Sequence, residues 1–371
     1  MLKIPQNEEF IINRLLENGH KAYIVGGCVR DILLGKTPDD YDITTSATPE
    51  EIIALFDKTI PTGIKHGTVT VVIDGTAVEV TTFRTENGYT DNRRPDRVEF
   101  VNDIKEDLSR RDFTINAMAY NEQEGLIDLF GGKDDLENKI LRTVGDSQTR
   151  FKEDSLRILR LFRFASTLGF KIEENTLNSA LEYAYLLQNI SRERIFAELK
   201  KAVLGNNFEI FSELIICGGL DFLKINKIPN FEKIKNLHSH PLLCLYSFFE
   251  SDSLEQLKPS NKEREFFVML DRLSKLPVPK TDIDLKEMLN ICDNEILKEY
   301  FLYKEWDFSD AQRIIDTNEP YKISQLKIDG KALIELGYKG EEIGKILDHL
   351  RQVVIKDQNK NKYENLIKEI P

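Results

Sequence analysis

Apolar and polar residues are spaced in two different ways along the 371-residue chain, and the change comes near residue 140. Before that point, short apolar runs such as residues 22–25 and 68–73 are interspersed with helical patterns. Asp74-Gly75 separates the run 68–73 from the run 77–83, which is typical of a tight β-hairpin turn. From residue 153 onward, apolar residues recur every three or four positions, the period of an amphipathic helix. The pattern therefore predicts an α+β head, a mixed sheet with helices, followed by a helical remainder.

Local signals add detail to the predicted head. Gly26 and Gly27 lie between the strand 22–25 and a short helical pattern that follows it. Residues 41–45 have the composition of a further strand. Residues 85–96 are polar and contain Gly and Pro, so we predict a loop there.

Composition is that of a globular protein, with 41% hydrophobic and 31% charged residues. No apolar run approaches the ~20 residues that a membrane span needs, and the N-terminus lacks the order of a signal peptide. The cysteines are scattered, without metal-ligand spacing, at Cys28, Cys217, Cys244 and Cys292. We therefore expect a cytoplasmic protein with reduced thiols and no membrane partner.

The formal net charge of −12 argues against a general nucleic-acid-binding surface, which is usually basic. Its distribution changes that picture, because eleven of the nineteen arginines lie between Arg84 and Arg163. Such a concentration predicts a local positive site on an acidic protein.

The densest candidate chemistry surrounds Gly26-Gly27. Two glycines before a helix allow close backbone approach to a phosphate, and Arg30 follows one turn into that helix. Asp40 and Asp42 are two residues apart at the next strand, so we expect them to share a face. Two carboxylates so placed suit a pair of Mg²⁺ ions in a phosphoryl transfer.

Two further clusters contain acidic and basic residues in regular order. Arg111-Asp112 combines a cation for phosphate with an acceptor for a ribose hydroxyl. Asp154, Arg157 and Arg160 follow at three-residue spacing, so we predict that they line one helical face, with Arg163 continuing the series.

These motifs together resemble the nucleotidyltransferase head of the polymerase β superfamily, in the class II branch of tRNA CCA-adding enzymes and bacterial poly(A) polymerases. The resemblance implies that Asp40, Asp42 and Glu79 are catalytic and that Asp40 and Asp42 bind Mg²⁺. It also implies nucleotide-binding roles for a larger group: Gly26, Gly27, Arg30, Arg111, Asp112, Asp154, Arg157, Arg160 and Arg163. Within this group, Asp154 and Arg157 would select the base of CTP or ATP.

The resemblance further implies a polymerase-β-like head at residues 1–140, a helical neck at 141–205, a body at 206–304 and a tail at 305–371. Glycines near residue 131 would form a hinge between head and neck. The tail would bind the tRNA elbow, although Lys339-Gly340-Glu341 departs from the Pro-Gly-Pro-like turn expected there.

The expected activity is addition of C, C and A to the tRNA 3′ end. The sequence leaves open whether the protein forms a homodimer. The alternatives are an A-adding enzyme, a poly(A) polymerase, or an RNA- or nucleotide-binding protein without catalysis. The full-length loop 85–96, with Arg93, Arg94 and Asp96, favours complete CCA addition.

Overall fold

The computed structural model describes residues 2–88, 97–224, 230–237, 239–249 and 251–371. It divides into two compact units, Met1–Lys258 and Pro259–Pro371. The four-part division expected from the sequence is finer than this partition and stays a prediction.

The head begins with the mixed α+β order that the sequence predicts. Its helices are α1 (Gln6–Glu17), α2 (Gly27–Leu33), α3 (Pro49–Leu55), α4 (Ile104–Ser109) and α5 (Gly132–Glu137). Its strands are β1 (Ala22–Val25), β2 (Asp42–Thr45), β3 (Thr59–Gly63), β4 (Thr68–Ile73), β5 (Thr76–Thr82), β6 (Arg84–Asn87), β7 (Arg97–Phe100), β8 (Met118–Asn121) and β9 (Gly125–Asp128).

Seven of these strands form one sheet in the order β3-β4-β5-β2-β1-β8-β9. The β2–β5 pair is parallel, whereas the other neighbouring pairs are antiparallel. Strand β1 is apolar and all four of its residues are buried, as expected for a strand that is covered on both faces. The sheet is therefore mixed, as predicted, and its central strands are the ones that carry the candidate carboxylates.

The predicted hairpin on Asp74-Gly75 is confirmed, since β4 and β5 pair antiparallel across it. Both turn residues have positive φ, 48° and 80°, as a tight two-residue hairpin requires. The loop predicted at 85–96 is wrong over its first residues, because β6 pairs antiparallel with β7. The loop residues Arg93, Arg94 and Asp96 lie outside the described residues.

The rest of the first unit is mainly helical. Its helices are α6 (Ser147–Glu153), α7 (Leu156–Leu168), α8 (Glu174–Glu182), α9 (Arg192–Ala202), α10 (Phe211–Ile216), α11 (Phe231–Asn236), α12 (Pro241–Phe248) and α13 (Ser251–Gln256). One small departure is a parallel pair of two-residue strands, β10 (Ile140–Leu141) and β11 (Lys171–Ile172). Helix α7 buries its apolar stripe, including Leu159 and Phe162, against the unit interior.

The second unit contains helices only among its regular elements. They are α14 (Asn261–Ser274), α15 (Asp282–Ile291), α16 (Asn294–Lys304), α17 (Ser309–Asp316), α18 (Gly330–Glu335), α19 (Glu341–Lys356) and α20 (Tyr363–Lys368). Leu333, Leu350 and Leu366 belong to one buried cluster that joins the last three. Across the described part of the chain, no helix combines the length and the apolar character needed to cross a membrane.

Candidate active site

The turn between β1 and α2 presents backbone at the edge of the sheet. Gly26 has φ 83° and ψ −129°, a conformation that residues with a Cβ rarely adopt. A Cβ on Gly26 would also lie 2.9 Å from Nη1 of Arg111. Both constraints favour glycine, and the second shows that the Arg111 guanidinium packs directly against the turn.

Two candidate catalytic carboxylates stand side by side next to this turn. Asp42, the first residue of β2, pairs in register with Val25 of β1 and with Glu79 of β5. Residues paired in register point to the same face of a sheet, and both carboxylates are exposed. Val78 and Val80, which flank Glu79, are buried. Strand alternation thus directs Glu79 away from the core, as expected.

Asp40 lies just before β2, so the expectation that it shares a strand with Asp42 is wrong. It is nevertheless close enough to act on Asp42. Loss of bulk water raises the pKa of Asp42 even though the side chain keeps solvent access; Arg111 opposes this rise and Asp40 adds to it. Three charges therefore share one neighbourhood: two carboxylates and a guanidinium.

The guanidinium of Arg30 is already engaged by protein groups. Nε and Nη2 donate to the two Asp31 carboxylate oxygens, each at 2.9 Å, and Nη1 donates to Asn116 Oδ1 at 2.8 Å. The guanidinium carbon also lies 5.2 Å from the ring centre of Phe164. A direct contact of Arg30 with a triphosphate would have to replace part of this arrangement.

Asp112 is buried and its carboxylate is saturated with donors. Oδ1 accepts from the Phe113 N–H at 2.8 Å and from Asn116 Nδ2 at 3.2 Å. Oδ2 accepts from Nε and Nη2 of Arg160, at 2.8 and 2.6 Å. Burial alone would raise the pKa of Asp112, but Arg160 and the hydrogen bonds lower it to about 2.

Asp154 lies in a break between two helices. Helix α6 ends at Glu153 and α7 begins at Leu156, while Asp154 has extended backbone angles. The predicted helical face through Asp154 is therefore wrong, because a helix does not continue through that residue. Its Oδ1 accepts from the Leu156 N–H at 3.1 Å, as an acidic side chain at a helix start does. Its Oδ2 accepts from Nη2 of Arg194, also at 3.1 Å.

Arg157 lies in the first turn of α7, and only 9% of its side chain is exposed. Nη1 donates to Glu153 Oε2 at 2.7 Å and to the Arg150 carbonyl at 3.1 Å. Nη2 donates to the Arg110 carbonyl at 2.9 Å. These bonds join the start of α7 to the Arg110–Asp112 segment of the head, and they orient the guanidinium.

Arg163 and Arg160 contribute to a second cluster centred on Phe164. Arg163 Nε donates to Glu198 Oε2 at 2.5 Å, and its guanidinium carbon lies 3.8 Å from the Phe164 ring centre. Arg160 lies 5.5 Å from the same ring centre. Arg194, which could have paired with Glu198 on sequence spacing, pairs with Asp154 instead. Three of the arginines predicted to bind nucleotide, Arg30, Arg160 and Arg163, thus lie around a buried aromatic ring, whereas Arg111 lies at the Gly26 turn.

The two glycines of the expected hinge differ: Gly131 is exposed with open space around it, whereas Gly132 is buried. Asp128 accepts from the backbone N–H groups of Gly132 and Lys133, both at 2.8 Å. A Cβ on Gly132 would overlap the carbonyl group of Thr114. Gly132 therefore permits close packing of α5 against Thr114, and the hinge between head and neck stays a prediction.

Two residues of this neighbourhood are absent from the sequence-based predictions. Phe164 lacked a signal, since an aromatic residue on an amphipathic helix is usually a core residue. Asp107 had one: it precedes Arg110 and Arg111 by three and four residues, the spacing at which helical side chains meet. Opposed by burial, the two arginines together still lower the pKa of Asp107.

Comparisons with known proteins agree with this geometry. Residues 22–142 match the family described as the poly A polymerase head domain, and residues 169–224 match the probable RNA and SrmB-binding site of polymerase A. A CCA-adding enzyme of Lactococcus lactis subsp. cremoris is 38% identical over 99% of this chain and 97% of its own length. Another, from Pediococcus pentosaceus, is 39% identical over 95% of this chain and 93% of its own. This chain belongs to the family of CCA-adding enzymes.

The fold agrees with that membership. The crystal structure of the Bacillus stearothermophilus CCA-adding enzyme in complex with CTP is 34% identical, with a TM-score of 0.79. The match covers 99% of this chain and 98% of the other. As a CCA-adding enzyme, the protein is a nucleotidyltransferase with a polymerase-type head, and the predicted family and fold class are confirmed.

Proposed function

We propose that the protein adds C, C and A in turn to the 3′ end of tRNA from CTP and ATP, with Asp40, Asp42 and Glu79 at the catalytic centre. In each cycle the primer 3′-oxygen forms a bond to the α-phosphorus. The bond from that phosphorus to the bridging oxygen breaks, and pyrophosphate leaves. The observation that carries the proposal is the register of Asp42 with Glu79 directly beside the Gly26 turn. Backbone for phosphate and carboxylates for a cation are thus adjacent.

The carboxylates of Asp40 and Asp42 fit an open Mg²⁺ site, in which the substrate completes the coordination shell of the ion. Oxygen ligands suit this ion, which usually binds one or two carboxylates and completes its shell with water and substrate phosphates. Asp40 and Asp42 would hold two Mg²⁺ ions, which would neutralise phosphate charge and activate the 3′-hydroxyl.

Base selection is assigned to Asp154 and Arg157 because each keeps unused hydrogen-bonding capacity. An ionised carboxylate has about four acceptor sites and a guanidinium has five N–H donors. The bonds described above use two sites on Asp154 and three donors on Arg157. Asp154 can accept from the amine of cytosine or adenine, and Arg157 can donate to the adjacent ring nitrogen. Uracil and guanine have the opposite polarity at both positions and would leave buried groups unpaired.

The other predicted nucleotide-binding residues are more constrained. Asp112 has no unused acceptor site, so contact with a ribose hydroxyl requires one of its four donors to leave. We assign Arg111, at the Gly26 turn, to the phosphates. Arg30, Arg160 and Arg163 lie in ion pairs around Phe164, and we assign them to the positive field near the triphosphate and the RNA end.

The sequence-based expectations of a homodimer and of a cytoplasmic location stay predictions. The division into head, neck, body and tail is likewise proposed. The body begins within the first compact unit, whereas the tail at 305–371 lies wholly in the second.

The catalytic proposal is tested by charge-removing substitutions at adjacent acids. Asp42→Asn should abolish nucleotide transfer at any Mg²⁺ concentration, because the residue faces Glu79 at the proposed metal site. Asp39→Asn is the matched control: it makes the same chemical change at an exposed neighbour and should keep activity and Mg²⁺ dependence. Transfer is measured on tRNA lacking CCA, and tRNA binding by filter retention. Near-normal transfer by Asp42→Asn, or equal loss in both variants, contradicts the assignment.

A further inference from the structure

Asp107 is a fully buried carboxylate that packs against strand β2. It lies on α4, and its Oδ1 accepts from Arg110 Nη2 at 2.8 Å and Nε at 3.1 Å. Its Oδ2 accepts from Arg111 Nη2 at 3.3 Å and from Thr44 Oγ1 at 3.4 Å. One buried anion therefore connects two consecutive arginines with strand β2.

The contact with Thr44 places Asp107 next to the catalytic pair. Thr44 follows Asp42 by two residues in β2, so the two side chains share a face of the sheet. Thr44 is also paired in register with Thr81, just as Asp42 is paired with Glu79. Asp107 thus covers the same sheet face one step further along the strands.

The geometry of Arg111 shows what this buried anion accomplishes. Asp107 binds only the Nη2 end of the guanidinium. The Nη1 end packs against the Gly26 turn, and the buried Nε has no acceptor within the described residues. The same guanidinium acts on the charge of Asp42. Arg111 is therefore held at its Nη2 end, with Nη1 at the turn and the guanidinium charge near Asp42.

The charges around Asp107 leave a small positive excess. Three guanidinium groups, those of Arg84, Arg110 and Arg111, meet two carboxylates, those of Asp107 and Glu86. Three positive and two negative charges give a net charge of +1. Without Asp107 the same group would carry +2 in a buried setting, where repulsion between arginines is weakly screened.

We propose that Asp107 is a positioning residue for the nucleotidyl transfer: it orients Arg111 so that Nη1 binds the triphosphate of CTP or ATP beside Asp42. This inference rests on the proposed function. It assigns Asp107 an effect on the phosphates that both substrates share, and not on either base.

The test is direct binding of CTP and of inorganic tripolyphosphate to the full-length protein by equilibrium dialysis. Asp107→Asn keeps the shape of the side chain but removes its charge. Because a hydrogen bond between charged groups is stronger than one between neutral groups, we expect about a tenfold or greater loss of affinity for both ligands. Asp103→Asn on the start of the same helix is the matched control, because Asn caps a helix as well as Asp does. It should leave both affinities unchanged.

An effect through Arg111 is distinguished from general damage by a double-mutant cycle. In an Arg111→Ala background, Asp107→Asn should cause little further loss of CTP affinity, and the affinity for tRNA should be unchanged throughout. Independent, additive losses, or an unchanged affinity in Asp107→Asn, would overturn the proposal.

A second variant keeps the test decisive if Asp107→Asn does not fold. Arg111→Lys retains the charge but cannot contact Asp107 and the Gly26 turn with a planar fork. A tenfold loss of tripolyphosphate affinity supports orientation by Asp107, and full retention contradicts it. The CTP and tripolyphosphate binding measurements need no tRNA. A wild-type protein that binds CTP but adds nothing to tRNA would therefore refute the proposed function without refuting the role of Asp107.

Discussion

Replacing Asp112 with Asn removes the anion that Arg160 binds with two donors, and we expect the variant to be less stable by about 2 kcal/mol. The pKa of Asp112 falls from 3.8 to about 2 on folding. Each pKa unit corresponds to ~1.36 kcal/mol, which gives about 2 kcal/mol in favour of the charged form. The side chain of Arg160 is 34% exposed and lies 4.0 Å from Glu198. Water and this second carboxylate can therefore partly replace Asp112 as partners of Arg160, which limits the destabilisation.

The stability difference between wild type and Asp112→Asn should depend on pH in a defined direction. A folded-state pKa below the unfolded value stabilises the protein above the unfolded pKa, and that stabilisation is lost as pH falls toward the folded pKa. The difference between wild type and Asp112→Asn should therefore be constant from neutral pH down to the unfolded pKa of 3.8, and shrink between 3.8 and about 2. This difference in the free energy of unfolding is measured by urea unfolding, with one slope of free energy against urea concentration fitted to both proteins.

Asp134→Asn is the control for this measurement, because Asp134 is exposed on α5 and has no ion-pair partner in the described structure. It should shift stability by no more than ~0.5 kcal/mol. A difference below ~0.5 kcal/mol for Asp112→Asn at neutral pH would refute the reasoning, since surface substitutions cost that little. A difference that changes between pH 6 and 8 would also refute it, because a different group would then be titrating.

Three other substitutions test the glycines and the base-selecting carboxylate. Gly132→Ala should lower stability by roughly 1–3 kcal/mol through overpacking against a carbonyl, whereas Gly344→Ala, with open space, should not; equal melting temperatures would contradict the packing account. Gly26→Ala and Gly19→Ala share a positive-φ cost of roughly 1–3 kcal/mol, but only Gly26→Ala should weaken CTP binding; parallel CTP affinities would contradict a nucleotide role for the turn. Asp154→Ala should raise UTP incorporation relative to CTP in single-nucleotide gels, and unchanged discrimination would remove Asp154 from base selection.

Much of the head was predictable because its signals are local. The Asp74-Gly75 turn and the alternation around Glu79 each follow from a few neighbouring residues. The family assignment followed from motifs that keep their order along the chain.

The errors have a different cause, which is pairing between distant residues. The start of the 85–96 stretch forms a strand because β7 supplies its partner, which polarity alone does not reveal. The helix break at Asp154 depends on Arg194, 40 residues away, and on the contact of Arg157 with the Arg110 carbonyl. Charge spacing singled out the candidate residues, whose roles stay predictions, but it did not reveal which charges pair.

The central claim, complete CCA addition from a single site, is tested most directly with three tRNAs. They lack CCA, end in C, or end in CC, and each is incubated with purified protein and Mg²⁺ in the presence of CTP, ATP or both. Sequencing gels should show two C additions with CTP alone on the first tRNA, and one A addition with ATP alone on the third. With both nucleotides, all three tRNAs should end in CCA and extend no further. Failure to add C from CTP to the first two tRNAs would contradict the account and indicate an A-adding enzyme. A run of A beyond CCA would also contradict it and indicate a poly(A) polymerase.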